Sequence, residues 1–325
     1  MGQILFNKTC RLNFMKKIFL LRYIKYLIVF VLLLAPLVLG LFCRYPVAGG
    51  KNLAISHSTM HSTNVIGTAV LFGAFFLEFF LILLHSPGKE LVKDTAANFL
   101  IGMGTIVVGA IEKGSAFGLY SLMYSASFFK PEPSWWLWLI AFFCCDFIHY
   151  AYHWLGHKTR LFWGAHVTHH SSRHFNLSTG LRTNGIHLFY RFVFWSPLCF
   201  FGVPPEIVLF IESITASQNF LVHTEKIGKL RVLDWVFNTP SNHRVHHGVN
   251  PEYIDKNLGG VLMIYDHLFG TYAKETTPVV YGITHDIDTH NPLKIMFHEH
   301  LGMAEVFSKI KGLPAKLHYL FSRPQ

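Results

Sequence analysis

Three short stretches carry the residues best suited to chemistry: "HWLGH" at 153–157, "HVTHH" at 166–170 and "HRVHH" at 243–247. In the first, His153 and His157 stand four apart, so a helix puts both on one face. In the second, His166, His169 and His170 share a face in the same way, and His243, His246 and His247 repeat the pattern. His223 closes an apolar stretch between the second and third clusters. Nine of the 21 histidines thus form one plausible set. Neutral imidazole is the commonest metal-ligand side chain and suits iron, zinc, copper or nickel. Nine nitrogens are too many for one tetrahedral zinc, which takes four ligands. They suit two metals holding four or five each, with positions left open. The Glu-x-x-His pattern of soluble di-iron bundles is absent, so the site is nitrogen-dominated.

Four neighbours are supporting candidates. Asp146 precedes His153 by two helical turns on the same face, where a carboxylate can orient a ligand ring; an ion pair or a polar helix contact explains it equally well. His149 extends the 153–157 stripe by one turn, as a tenth ligand or as a satisfied interior histidine. Asn242 adjoins the third cluster and Asn257 follows it, with roles either in shaping the site or in capping and loop hydrogen bonds. Arg244 and Asp255 occupy similar positions.

The elements that must position these residues read as membrane helices. The chain of 325 residues is 51% hydrophobic and 14% charged, against roughly 25% charged in soluble domains. Its 31 Phe and 7 Trp fit a lipid-facing surface with aromatic anchors at its edges. Apolar runs cover Tyr26–Phe42, about 64–84, about 96–129 and about 135–157. The second run contains Glu78, which must face protein, water or a partner. The third is interrupted by Glu112 and Lys113, so it either spans once or folds back. Two shorter stretches, about 188–201 and 207–222, flank the turn signal "GVPPE" and fit a hairpin dipping into the bilayer. Beyond Thr224 the chain is mostly polar. "GGVLMIYDHLFGTY" lacks the glycine spacing of a phosphate loop and reads as an apolar helix near the site.

The basic head before Tyr26 sets the N-terminus inside, and counting crossings then puts all three clusters on the cytoplasmic side. The net charge of +10 reads as membrane orientation, because the basic residues form no stripe interleaved with exposed aromatics. Nucleic acid is therefore no expected partner. The five cysteines form no CxxC pair and read as small buried hydrophobes.

The order HxxxH, HxxHH, HxxHH resembles that of the sterol desaturase/fatty acid hydroxylase superfamily of integral membrane di-iron enzymes. "WGAHVTHHSSRHFNLSTGLR" (163–182), "LVHTEKIGKL" (221–230), "NTPSNHRVHHGVNPEYIDKNLGGVLMIYDHLFGTY" (238–272) and "VVYGITH" (279–285) resemble its alkylglycerol monooxygenase group. The resemblance covers roughly residues 90–300. It implies an all-α polytopic membrane protein whose cytoplasm-facing helical cap holds a di-iron centre. It divides the chain into N-terminal spans (1–90), a hydroxylase-type catalytic domain (91–300) and an amphipathic tail (301–325). The implied ligands of two Fe ions are His153, His157, His166, His169, His170, His223, His243, His246 and His247, with no further catalytic side chain. The implied reaction uses O₂ to hydroxylate a lipid C–H bond. In an ether lipid that carbon adjoins the ether oxygen, and the hemiacetal formed splits into an aldehyde and a glycerol. Electrons come from tetrahydrobiopterin or a separate electron-transfer protein, since no HPGG-type haem-binding segment is present. The expected location is a bacterial inner membrane or the endoplasmic reticulum. The rival readings are a sterol or fatty-acyl hydroxylase or desaturase of the same superfamily, and, from another class, a zinc-bound membrane hydrolase or a non-catalytic scaffold.

Overall fold

The computed structural model describes residues 73, 76–80, 88–132 and 134–324. They belong to one compact unit, His61–Gln325; a second unit, Met1–Met60, lies outside the described residues. So do the first apolar run and most of the second. Among the described residues every regular element is helical, and β structure is limited to isolated bridges at Phe237–Leu262 and Gly248–Tyr281.

Helix α1 runs unbroken over Lys89–Ser125, 37 residues or about 55 Å at 1.5 Å per residue. The interruption at Glu112 and Lys113 therefore neither breaks nor folds the third apolar run. The reason lies across the interface: Arg191 pairs with Glu112 at 2.8 Å, so the carboxylate stays buried without bending the helix. Helix α2 covers Trp135–Lys158, matching the fourth run. Both are long and apolar enough to cross a membrane. Their outer faces keep large apolar side chains exposed, including Ile106 at 67% and Trp135 at 76%. Water would penalise so much apolar surface, whereas lipid accepts it. Of the four apolar runs expected to enter the membrane, the described residues supply the third and fourth as these two helices.

Thr159 is extended and turns the chain into α3, Arg160–His170. The stretch 188–201 is not one helix but a 3₁₀ turn, Arg191–Phe194, followed by Ser196–Phe200. The "GVPPE" turn holds Gly202 at φ +94°, where a side chain would strike the Phe129 carbonyl. It leads into α4, Pro205–Leu221, whose 17 residues fall short of a full span. After it come the short α5, Pro240–His246, and α6, Ile264–Phe269. Thr239 caps α5 by accepting from the Asn242 amide, and Pro240 sits in its first turn, where a missing N–H costs nothing. Two C-terminal helices, α7 (Pro292–Lys309) and α8 (Leu313–Phe321), complete the cap. The expected divisions at 90/91 and 300/301 fall inside α1 and α7, each of which is one continuous helix.

A buried polar network locks the cap onto α1. Arg182, 1% exposed, donates to Asp94 and Asn98 of α1 at 2.9 and 2.8 Å and to the Thr168 carbonyl of α3 at 3.0 Å. Glu78 is buried too: it accepts from the Leu177 amide and the Thr224 hydroxyl, each at 2.5 Å. The partner required for that carboxylate is therefore protein, and it anchors the residue following His223.

Candidate metal centre

The local helices do what the spacing implies. His153 and His157 lie on the last turns of α2, the second cluster on α3, and His243 and His246 on α5, with His247 as its C-cap. All nine expected histidines converge, and they divide into two groups. His153, His157, His166, His170 and His246 form one; His169, His223, His243 and His247 form the other. Within each group one nitrogen from every ring lies within 4.8 Å of the rest. The division cuts across every HxxHH cluster. His169 and His170 are sequence neighbours on different groups, and so are His246 and His247. The groups adjoin: the rings of His170 and His247 stack with centroids 4.4 Å apart.

Backbone carbonyls and one carboxylate set the ring orientations. Nδ1 of His153 donates to the Leu258 carbonyl at 2.9 Å, Nδ1 of His223 to Asn219 at 2.7 Å, and Nδ1 of His246 to Lys256 at 3.2 Å. Nδ1 of His157 faces Asp255 Oδ1 at 3.4 Å. With the proton on Nδ1, each Nε2 keeps its lone pair, the form a metal requires. The nitrogens are crowded: Nε2 of His166 lies 3.0 Å from that of His153 and 3.1 Å from that of His170. In the second group Nε2 of His223 lies 3.1 Å from that of His169 and 2.9 Å from that of His243. Nε2 of His157, His246 and His247 and Nδ1 of His243 are buried with no hydrogen-bond partner. Buried polar atoms without partners cost free energy. Converging lone pairs and orphaned nitrogens fit cations at both groups, so the donor set suits two metals.

Protonation is disfavoured across the site. Burial, then neighbouring imidazoles, push His166, His170, His243, His246 and His247 well below the ordinary histidine value. Burial pushes His223 down to about 4. Burial raises the Asp255 carboxyl, but hydrogen bonds to His157 and Lys158 outweigh it and hold it at about 2.

Each supporting candidate acts on backbone or stays outside both groups. Asp146 holds no imidazole. It accepts from the Val261 and Leu262 amides at 2.7 and 3.1 Å and so pins the loop whose Leu258 carbonyl orients His153. His149 belongs to neither group; its ring packs edge-on against His153, centroids 5.7 Å apart, and its Nε2 lies 3.4 Å from Asn219 Nδ2. Asn242 donates to the Asp234 and Phe237 carbonyls, and Asn257 donates to the Asn242 and Ala273 carbonyls. Arg244 forks onto Glu275 and donates to the Thr224 carbonyl at 3.0 Å, beside His223. Sequence reasoning missed the Lys256 and Leu258 carbonyls, because a carbonyl carries no residue signature. The glycine pair 259–260 was the available signal. A side chain at Gly260 would meet Asp146 Oδ1 at 2.7 Å and His149 at 2.8 Å, so the "GG" marks a close backbone approach. This stretch is loop, and helix begins only at Ile264.

Two cavities meet the imidazoles from separate sets. One, of about 300 Å³, is lined by His153, His166, His169, His223 and His243 together with apolar and polar residues of the cap. The other, of about 230 Å³, is lined by His157, His170, His246 and His247 and by Asp255 and Arg323 near the C-terminus. No residue lines both, and together they touch all nine rings.

Residues 138–271 match the family model described as fatty acid hydroxylase. Alkylglycerol monooxygenase of Homo sapiens is 41% identical over 194 residues, covering 60% of this chain and 43% of that protein. The enzyme of the same name from Danio rerio is 33% identical over 260 residues, covering 79% and 58%. An ornithine lipid hydroxylase of Rhizobium tropici is 28% identical over 199 residues, covering 58% and 59%. The chain thus spans about half the length of the curated relatives it matches. No solved structure matches it.

Proposed function

Because residues 138–271 match the fatty acid hydroxylase family model, we propose that this chain is a membrane di-iron monooxygenase that uses O₂ to hydroxylate a lipid C–H bond, with an ether lipid of the alkylglycerol type as substrate. The observation that carries this reading is the division of nine imidazoles into a group of five and a group of four. Such a donor set holds two metals side by side and leaves coordination positions open. Two irons bound there would supply the oxidising power that inserts one oxygen atom from O₂ into a C–H bond. The chain's own residues do the rest. Asp255 and the carbonyls of Lys256, Leu258 and Asn219 keep the protons on Nδ1 and the rings turned inward. The 300 Å³ cavity, walled by five of the imidazoles, receives the carbon to be attacked. Two electrons must enter from a diffusible reductant such as tetrahydrobiopterin or from an electron-transfer protein. The His-bearing cap faces the cytoplasm, following the basic head.

The test is metal analysis combined with product analysis. The purified full chain should hold about two irons and, given O₂, a reductant and an alkylglycerol, should release a fatty aldehyde. One zinc and no iron would overturn the oxygenase reading. Two irons with oxidation of a sterol or acyl chain, and no aldehyde, would overturn the ether-lipid assignment.

A further inference from the structure

The cavity floored by five of the histidines has a second chemical feature. Arg191, on the 3₁₀ turn Arg191–Phe194, lines it. Its Nε donates to Glu112 Oε1 of α1 at 2.8 Å. That single bond uses one of the five N–H groups of the guanidinium, and among the described residues the other four have no protein acceptor. A pair serving only to bury Glu112 would favour the two-pronged geometry of arginine with a carboxylate. The side chain of Glu112 is 2% exposed and that of Arg191 21%, so the carboxylate is sealed while the guanidinium stays open. Among the other wall residues, Nε2 of His187, Oδ1 of Asn219, Oδ1 of Asn238 and Nδ1 of His243 are polar atoms without hydrogen-bond partners.

Local charge narrows the ligand. Lys113 Nζ lies 3.9 Å from the other oxygen of Glu112. Glu212 is within electrostatic reach of Arg191 and Lys113 and takes a hydrogen bond from Tyr120 at 3.1 Å. On the cavity wall the guanidinium is already neutralised by its direct ion pair with Glu112, which leaves Nη donors to satisfy and no unpaired positive charge there.

We infer that Arg191 binds an uncharged oxygen of the lipid headgroup, a hydroxyl or ether oxygen, and so selects neutral glyceryl lipids over phosphate-bearing ones. This rests on the reading of the cavity as a lipid-oxidation site. The guanidinium holds the polar end while the alkyl chain positions its carbon beside the imidazoles. Glu112 is the positioning residue that fixes the guanidinium.

The experiment uses the full chain in lipid nanodiscs. A fluorescent alkyl probe is displaced by three ligands of equal chain length: a 1-O-alkylglycerol, its phosphate-bearing counterpart and an n-alkane. The wild type should bind the alkylglycerol at least about tenfold more tightly than the alkane, from hydrogen bonds to a charged donor, and more tightly than the phosphate. The double variant Glu112→Gln/Arg191→Met, which leaves no buried charge unpaired, should lose that preference and keep its affinity for the alkane. Equal weakening of alkane and alkylglycerol would show a purely structural pair and overturn the inference. A preference that survives the double variant would also overturn it. Tighter wild-type binding of the phosphate would overturn the neutral-oxygen assignment. Should the double variant not fold, Arg191→Lys keeps a charge beside Glu112 but removes the Nη donors, and the same outcomes apply. Aldehyde release is scored separately: its absence in the wild type counts against the oxygenase reading, while the binding preference still tests Arg191.

Discussion

His246 and His247 adjoin in sequence, yet each belongs to a different imidazole group, and each group is proposed to hold one metal. Replacing either with alanine removes one ligand from one group only. His246→Ala and His247→Ala should each abolish aldehyde release and lower the iron content from about two toward about one per chain, with membrane insertion intact. His318→Ala, on the exposed side of α8, should change neither. Metal analysis beside a turnover assay and membrane fractionation checks this, and His246→Ala behaving like His318→Ala would refute the assignment. A second prediction concerns acid. Burial pushes His223 down to about 4, and burial together with the Arg191 charge pushes His187 down to about 3. In the unfolded chain both return to about 6.5. Between those values the unfolded state binds protons that the folded state refuses, so stability is complete above about 6.5 and is lost as pH falls toward 4. Each such imidazole contributes a slope of up to about 1.4 kcal/mol per pH unit. Chelator-treated protein should therefore melt at progressively lower temperature through this window, and a flat or rising melting temperature would contradict the assignment of neutral buried rings.

The loop 255–262 is the element on which ring geometry depends. It offers carbonyls to His153 and His246, and it is held in turn by two carboxylates. Asp146 takes its amides at 261 and 262, and Asp266 takes those at 258 and 259. Gly260→Ala forces a methyl group against Asp146 and His149 and must displace this loop. It should cost about 1–3 kcal/mol of stability and lower metal occupancy through His153. Asn257, at φ +55°, ties α5 to residue 273 with both ends of its amide. Asn257→Ala removes these bonds and should cost a similar amount, about 1–3 kcal/mol. Thermal denaturation and metal analysis of both variants check this; wild-type melting and metal content in either would remove the loop from the account. The glycine pair was visible in the sequence. The use of its neighbours' carbonyls was not, because any residue type can supply a carbonyl.

Among the described residues, two apolar helices lead into a polar cap that carries most of the histidines, and the segment after α7 packs onto that cap. The Arg160 amide donates to the Ser322 carbonyl at 2.9 Å, and the Arg160 guanidinium lies over the Tyr319 ring at 4.9 Å. The linker between α7 and α8 is thus on the cap side, where Lys311 is exposed. With the cap facing the cytoplasm, Lys311→Cys in a cysteine-free background should react with an impermeant thiol reagent in inverted vesicles and stay protected in right-side-out ones. The opposite pattern would reverse the proposed orientation.

The amino-acid sequence by itself determined that nine imidazoles can act together, that the fourth apolar run is one long helix, and that the chemistry belongs near a membrane; whether the third run crosses once or folds back it left to the structure. Those conclusions rest on short-range periodicity: four residues of helix bring two side chains to one face whatever else the chain does. Only the tertiary structure decided how the nine divide. Which ring of an HxxHH cluster joins which group depends on where α2, α3, α5 and the end of α4 approach one another, and no local spacing encodes that approach. The same distinction explains Asp146. Its position on the face of His153 was legible, but the amides it grips arrive from more than a hundred residues away and are presented by backbone, which leaves no mark in the pattern of side chains.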